Sequence, residues 1–188
     1  MRIPYRFRAS LKAFVGNGYD RGHLVASANS DHRHIENSET FLLSNMSPQE
    51  PDFNRKIWRK REKAVRKLNE RDDVLETYVL TCPVFDFDKP ITLIGDRDDR
   101  YGINVPVPHA FVKSVLTEGM NGKLKLWTFE IPNEEQPKPL KDFLVVTYDA
   151  EQRVGGRFWD RISGRDIHDE KVKKGKMWLS DNRRRLTS

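Results

Sequence analysis

The chain has 188 residues, with 34 Lys plus Arg against 28 Asp plus Glu and a formal charge of +6. Its 37% hydrophobic content can fill the core of one ordinary domain; no apolar run approaches the roughly 18–20 residues that would cross a bilayer, and the start MRIPYRFRAS lacks the apolar core of a secretory signal. The single cysteine, Cys82, excludes an internal disulfide and a cysteine-built zinc cage, and the modest cationic excess favours a polyanionic partner without requiring one.

Residues 1–15 alternate weakly, in YRFRASLKAFV, and suit an edge strand or an irregular arm before the turn at Gly16-Asn17-Gly18. The next stretch, GYDRGHLVASANSDHRH (18–34), sets Asp20, Arg21, Gly22 and His23 side by side ahead of the apolar step at Leu24 and Val25. Two readings compete: a polar turn entering a strand, or an active site whose histidine moves a proton while its arginine holds an anion. Asp31, His32 and His34 could form a metal site, since imidazoles two apart point the same way on a strand. Asn29 and Ser30 before them and the polar run 36–39 after them favour an exposed loop instead.

A short apolar strand is expected at Phe41 to Leu43, followed by a loop closed by Pro48 and Pro51. From Asp52, read as the N-cap, to Asn69 there is no Gly or Pro, and Phe53, Ile57, Trp58, Ala64, Val65 and Leu68 share one arc of a helix. VLETYVLTCPVF (74–85) reads as a buried strand, and residues 98–118 and 123–133 as further strands, because β-branched and aromatic residues are frequent there and turns punctuate them. Residues 139–164 read as an apolar strand and a short helix ending near Gly155 and Gly156. Residues 165–188 are expected to be a charged, partly mobile tail anchored at Trp178. His109 and His168 carry no supporting pattern and are expected to be structural or solvated. The whole is an α+β fold, a central antiparallel sheet flanked by helices, in one domain over 1–188.

Asn54 lies in the first turn of the expected helix, and Glu62 and Arg66 fall about 80° and about 120° from it on a regular α-helix. The three share a flank. Taken singly, a first-turn Asn caps or hydrates and a Glu/Arg pair four residues apart is a weak surface ion pair.

The combination changes that reading. DRGH (20–23), SNMSPQEPDFN (44–54), Trp58, Glu62 and Arg66 together resemble the DNA/RNA non-specific endonucleases, the group that includes endonuclease G-like mitochondrial enzymes and secreted bacterial nucleases with a ββα-metal, or His-Me finger, site. The pieces VLTCPVF, INVPVPHAFVKSVL, FEIPNE and FWDRISG extend the resemblance over nearly the whole chain.

The resemblance implies a metal-dependent endonuclease that cuts phosphodiester bonds of DNA and RNA without strong sequence preference. It makes His23 the general base that activates water, and Asn54 the single direct protein ligand of Mg2+, with Mn2+ as a substitute. It gives Glu62 a hold on the ion through water, and it turns Arg21 and Arg66 toward the scissile phosphate. Asp20 is expected to orient its neighbours and Asn45 to support the histidine loop through hydrogen bonds.

Two departures stand out. The resemblance implies a longer segment before the motif than the 19 residues here, so either the fold is shortened or something upstream is missing, with a homodimer or partner subunit as one way of completing the N-terminal part. Arg61 falls in the helix's apolar arc, where relatives tend to carry an aliphatic residue and where it is expected to snorkel along the core edge; Cys82 stands where a glycine is common. The competing function is a catalytically silent or partner-activated nucleic-acid-binding subunit. Mitochondrial, cytoplasmic and secreted locations all stay open.

Overall fold

The computed structural model describes residues 9–26, 42–96, 98 and 100–178. Strand β1 (Asp20–His23) pairs antiparallel with β2 (Met46–Gln49), and a helix follows at once: a π-helical segment, Phe53–Trp58, continuing into α1 (Arg59–Asn69). This is a ββα unit. Beyond it lie β3 (Val74–Val84), the small antiparallel pair β4 (Leu93–Gly95) and β5 (Asn104–Pro106), then β6 (Ala110–Gly119), β7 (Leu124–Pro132) and β8 (Leu144–Val145). Helices α2 (Thr147–Val154) and α3 (Arg165–Lys171) complete the described chain.

The main sheet has the order β3-β6-β7-β8, antiparallel throughout. Side chains alternate across a strand, so β6 and β7 each feed two layers. Phe111 and Val115 of β6, with Trp127, Phe129 and Ile131 of β7, pack against Phe53, Ile57, Trp58, Val65 and Leu68 of the helix. The other face offers Val112 to Ala150 and Phe158, and Leu116 and Leu126 to Ile167. The central sheet with flanking helices is thus the architecture expected from the pattern. Each fully buried aliphatic or aromatic side chain here contributes about 1.5–3 kcal/mol, so Trp58, 1% exposed and packed at a tilt against Phe53 and Phe111, is the contact whose truncation would most loosen helix from sheet.

Several local expectations change. Residues 11–14 form a 3-10 turn that buries Ala13 and Phe14 against Ile94 and Val107, in place of an edge strand. The strand near Phe41 to Leu43 is not formed at Leu42 and Leu43, where the chain enters a 3-10 turn closed by Asn45 N–H on Leu42 O; Phe41 lies outside the described residues. The strand comes later, at Met46–Gln49, and it contains Pro48, which a two-stranded ladder tolerates because one side of each strand is unpaired. β3 is a sheet edge with Leu75, Tyr78 and Val79 exposed, so it is not the buried strand its composition suggested.

The start of the expected tail is helical over Arg165–Lys171, with Ile167 and Lys171 buried. Trp178 is an anchor: its Nε1 donates to Ala64 O at 3.2 Å and its ring meets Trp127 and Phe129 edge-on. Arg61 does not snorkel. It is fully buried, with its guanidinium 4.5 Å from the Trp58 ring centre and 5.4 Å from that of Phe129.

Candidate active site

The helix start is set by Glu50 rather than Asp52. Glu50 Oε2 accepts the Phe53 N–H at 2.6 Å and its carbonyl accepts the Asn54 N–H at 2.9 Å, with Pro51 in the first-turn position where no N–H is needed. Asp52 lies inside the helix and pairs with Lys56 at 3.0 Å. Asn133 ties this corner to the sheet: its Oδ1 accepts the Glu50 N–H at 2.9 Å, while its Nδ2 donates to Pro48 O and Pro108 O.

The π-helical segment then alters the flank on which the site depends. Arg59 N–H reaches back five residues to Asn54 O. A wider turn advances less angle per residue than an α-turn, which rotates Asn54 toward the face of Glu62 and closes most of the gap a regular helix would leave between them. Arg66 follows on the same side.

β1 meets this flank at two points. Asp20 Oδ2 accepts from Asn54 Nδ2 at 3.1 Å, and Arg55 grips the same carboxylate with both arms, Nε to Oδ2 at 2.8 Å and Nη2 to Oδ1 at 2.6 Å. Burial alone would raise the Asp20 pKa, but the bonds from Arg55 and Asn54 and the charge of Arg55 outweigh it and hold the carboxyl below its usual range. An ionised Asp20 is an acceptor only, so the Asn54 amide must turn its NH2 inward and its carbonyl oxygen the other way. At the far end of the strand His23 is half-buried. Burial lowers its pKa, Glu62 pulls the other way, and the cationic Arg21 lowers it again, with a net shift downward. The shift favours the neutral imidazole, the form that can accept a proton.

Backbone geometry fixes this strand. Gly22 faces Gln49 across the ladder, and a Cβ on Gly22 would fall inside the fully buried Gln49 side chain, so only glycine fits. Both polar atoms of that Gln49 amide lack a hydrogen-bond partner among the described residues. Past His23, Asn45 extends the ladder through its side chain: Oδ1 accepts the Val25 N–H and Nδ2 donates to Val25 O, both at 2.9 Å.

Glu62 and Arg66 make no salt bridge with each other within 4.0 Å, so the weak ion pair that their spacing allows is not formed. Arg66 is half-buried, and its Nη1 has no hydrogen-bond partner among the described residues. Arg21 is exposed beside His23.

Residues 31–34, with the alternative metal cluster, lie outside the described residues. His109 is structural, accepting the Asp86 N–H at Nδ1, 3.0 Å away; His168 meets the Tyr148 hydroxyl at 3.0 Å. Sequence reasoning gave no role to Arg55, Glu50, Gln49 or Asn133. Arg55 has no signal beyond its place next to Asn54, whereas Gln49 and Glu50 fall within SNMSPQEPDFN and Asn133 within FEIPNE, motifs whose contacts with the backbone only folding displays.

The described residues contain no group of three His, Cys, Asp or Glu side chains able to hold a metal ion. A cation here would have to rely on one neutral carboxamide oxygen, nearby carboxylates and its own water. That donor set fits a hard ion such as Mg2+, which gives up water reluctantly, and is unlike the nitrogen and sulfur cage of a zinc site.

The family model described as DNA/RNA non-specific endonuclease matches residues 1–164. A protein named nuclease from Syncephalastrum racemosum is 36% identical over 173 residues, covering 85% of this chain and 53% of the relative. Human mitochondrial endonuclease G is 34% identical over 165 residues, covering 84% of this chain and 54% of the relative. A solved structure of an EndoG/EndoGI complex superposes with a TM-score of 0.76 at 31% identity, covering 86% of this chain and 67% of that one. The chain thus spans about half the length of the curated relatives it matches. With sequence family, relatives and fold in agreement, the chain belongs to the DNA/RNA non-specific endonuclease family.

Proposed function

We propose that the chain is a sequence-non-specific endonuclease that hydrolyses phosphodiester bonds of DNA and RNA with a divalent cation, Mg2+ or in its place Mn2+. The observation that carries this reading is the division of labour along β1. Asp20 takes the amide protons of Asn54 and so frees its carbonyl oxygen, while His23, three residues on, is kept neutral beside Glu62.

His23 takes a proton from the attacking water as its oxygen bonds to phosphorus, and the P–O3′ bond breaks to leave a 5′-phosphate and a 3′-oxygen that picks up a proton from water to become the hydroxyl. Arg21 and Arg66 address the non-bridging oxygens, where negative charge builds and a guanidinium fork can contact two atoms at once. Asn54 would hold the cation directly and Glu62 through water, and the ion would supply charge neutralisation at the leaving oxygen. Asp20 and Asn45 are positioning residues, the first for the Asn54 amide and the second for the chain after His23. All these groups address phosphate, which carries no sequence information.

The test is incubation with supercoiled plasmid and with RNA, in Mg2+ or in EDTA. Cleavage of both in Mg2+ and of neither in EDTA is expected. A gel shift without cutting would replace the enzyme with a binding subunit.

A further inference from the structure

A second cationic feature lies at the opposite end of the site helix. A groove of about 730 Å³ opens where the end of α1 meets the start of β3, the β6–β7 turn and residues 173–178. Its floor is apolar: Leu68 and Trp127 are buried, and Val74 and Trp178 complete the wall. Its rim is basic. Lys123, Lys125, Lys174 and Lys176 are exposed there, and none makes a salt bridge among the described residues.

The two carboxylates of the groove are already engaged. Asp73 accepts both arms of Arg71, at 2.8 and 2.9 Å, and Glu170 accepts Lys173 at 2.6 Å and the Leu126 N–H at 3.2 Å. Lys125 lies in the field of Asp73 without a salt bridge to it, and the cationic side chains lining the groove outnumber its two carboxylates.

The shape is held by packing. Trp127 Nε1 donates to Lys176 O at 2.7 Å, and the Trp127 and Trp178 rings meet edge to face at 4.9 Å. A Cβ on Gly175 would sit 2.7 Å from a Trp127 ring carbon, so the backbone between Lys174 and Lys176 lies directly on the indole. The two lysines therefore flank the groove on a fixed segment.

An apolar floor under a cationic rim suits single-stranded nucleic acid, whose phosphates the lysines neutralise and whose unpaired bases the floor takes up. A duplex keeps its bases stacked inside and can meet only the rim. From Asn54 to Leu68 the helix rises about 20 Å, so a strand engaged here must run several nucleotides past the site.

We propose that this groove is an exosite for single-stranded DNA or RNA that raises affinity for long single strands. It rests on the nucleic-acid reading above, and its test separates the two. Binding of an oligothymidylate of roughly 20 nucleotides is read in EDTA by tryptophan fluorescence, so no cleavage is needed. Lys125→Gln, Lys174→Gln and Lys176→Gln combined should weaken binding about tenfold at low salt and reduce the slope of log K against log salt by about 2. The corresponding triple Glu variant should weaken it further.

In Mg2+ the KM for a long single strand should rise in the same proportion, while hydrolysis of a dinucleotide, too short to reach the groove, stays unchanged. Plasmid nicking should change less than threefold. Unchanged binding and salt slope, or an equal loss on plasmid, would overturn the exosite, and so would a matching loss on the dinucleotide. If the parent cuts no substrate, the nuclease reading fails and the fluorescence arm still decides the groove.

Discussion

The helix running from Phe53 to Asn69 carries charge on two flanks, and they are built in opposite ways. On the β1 side the carboxylate at the base of the site is matched: Asp20 takes both arms of Arg55 and the amide of Asn54. On the core side Arg61 and Lys113 are buried over one indole, at 4.5 and 4.2 Å from the centre of Trp58. No salt bridge reaches either among the described residues. Glu62 stands between the two flanks, the carboxylate whose field His23, Arg61 and Lys113 all feel. The difference teaches that the first flank is arranged for chemistry and stability together, whereas the second gives up stability and adds positive potential behind Glu62.

The largest effect should come from breaking the first flank at its base. His23→Ala should lower the cleavage rate by about 10²-fold or more, since a positioned base contributes that much, and leave nucleic-acid affinity nearly intact. Single-turnover cleavage of plasmid with a parallel binding assay checks both halves. The pH profile sharpens the assignment. Burial first, and then Arg21, lower the His23 pKa against the pull of Glu62, so activity should persist below the ordinary histidine value of about 6.5 and fall only as pH drops through a lower midpoint. Glu62→Gln removes the opposing pull and should move that limb to still lower pH. A limb above about 6.5 would contradict the role given to burial.

A smaller loss should follow from removing the orienting contact alone. Asp20→Ala frees the Asn54 amide to rotate and should reduce activity about 10- to 100-fold, with a higher Mg2+ concentration needed for half-maximal rate. Asp20→Asn keeps an oxygen that can accept from Asn54 Nδ2, so it should recover part of the loss. Arg55 is exposed and can hydrate, so thermal unfolding should move little in either variant. If the two variants lose activity equally, the contact works through charge and not through orientation.

Much of this contrast could be read from the chain, and what could not has physical causes. The helix was legible because period 3.6 leaves its mark in the placement of Phe53, Ile57, Val65 and Leu68, and the strands of the main sheet because β-branched and aromatic residues such as Phe111, Val115, Trp127 and Phe129 are frequent between turns. His23, Asn54 and Glu62 could be singled out as a set only through the resemblance of the motifs that carry them to the nuclease family.

The π-helical segment left no mark, because a change of turn over six residues barely disturbs the apolar arc, yet it is what turns Asn54 toward Glu62. Pro48 argued against the strand that contains it, since proline's rule forbids central strands and β2 is not central. Composition marked β3 as buried, although an edge strand of the same residues is half open to water. The partners Arg55 of Asp20 and Lys113 of Arg61 are 35 and 52 positions away in sequence, and only folding brings each pair together.

The last effect tests the second flank. Arg61 has Nε, Nη1 and Nη2 buried without a hydrogen-bond partner among the described residues, and a guanidinium cannot shed its charge to escape. Lys113 can: burial first, and then Arg61, push its pKa well down against the attraction of Glu62, so the amine yields where the guanidinium does not. Facing an aromatic ring returns about 2 kcal/mol to a desolvated cation, while desolvation costs several kcal/mol per ion. Arg61→Met removes the charge and keeps an unbranched apolar side chain that is two atoms shorter, so the lost desolvation penalty should outweigh the small cavity and stabilise the fold by about 1–4 kcal/mol in urea unfolding. Lys113→Met should stabilise less, because an amine, unlike a guanidinium, has a neutral form that burial favours. A lower midpoint for Arg61→Met would show that the guanidinium is paired after all, and the contrast between the two flanks would then disappear.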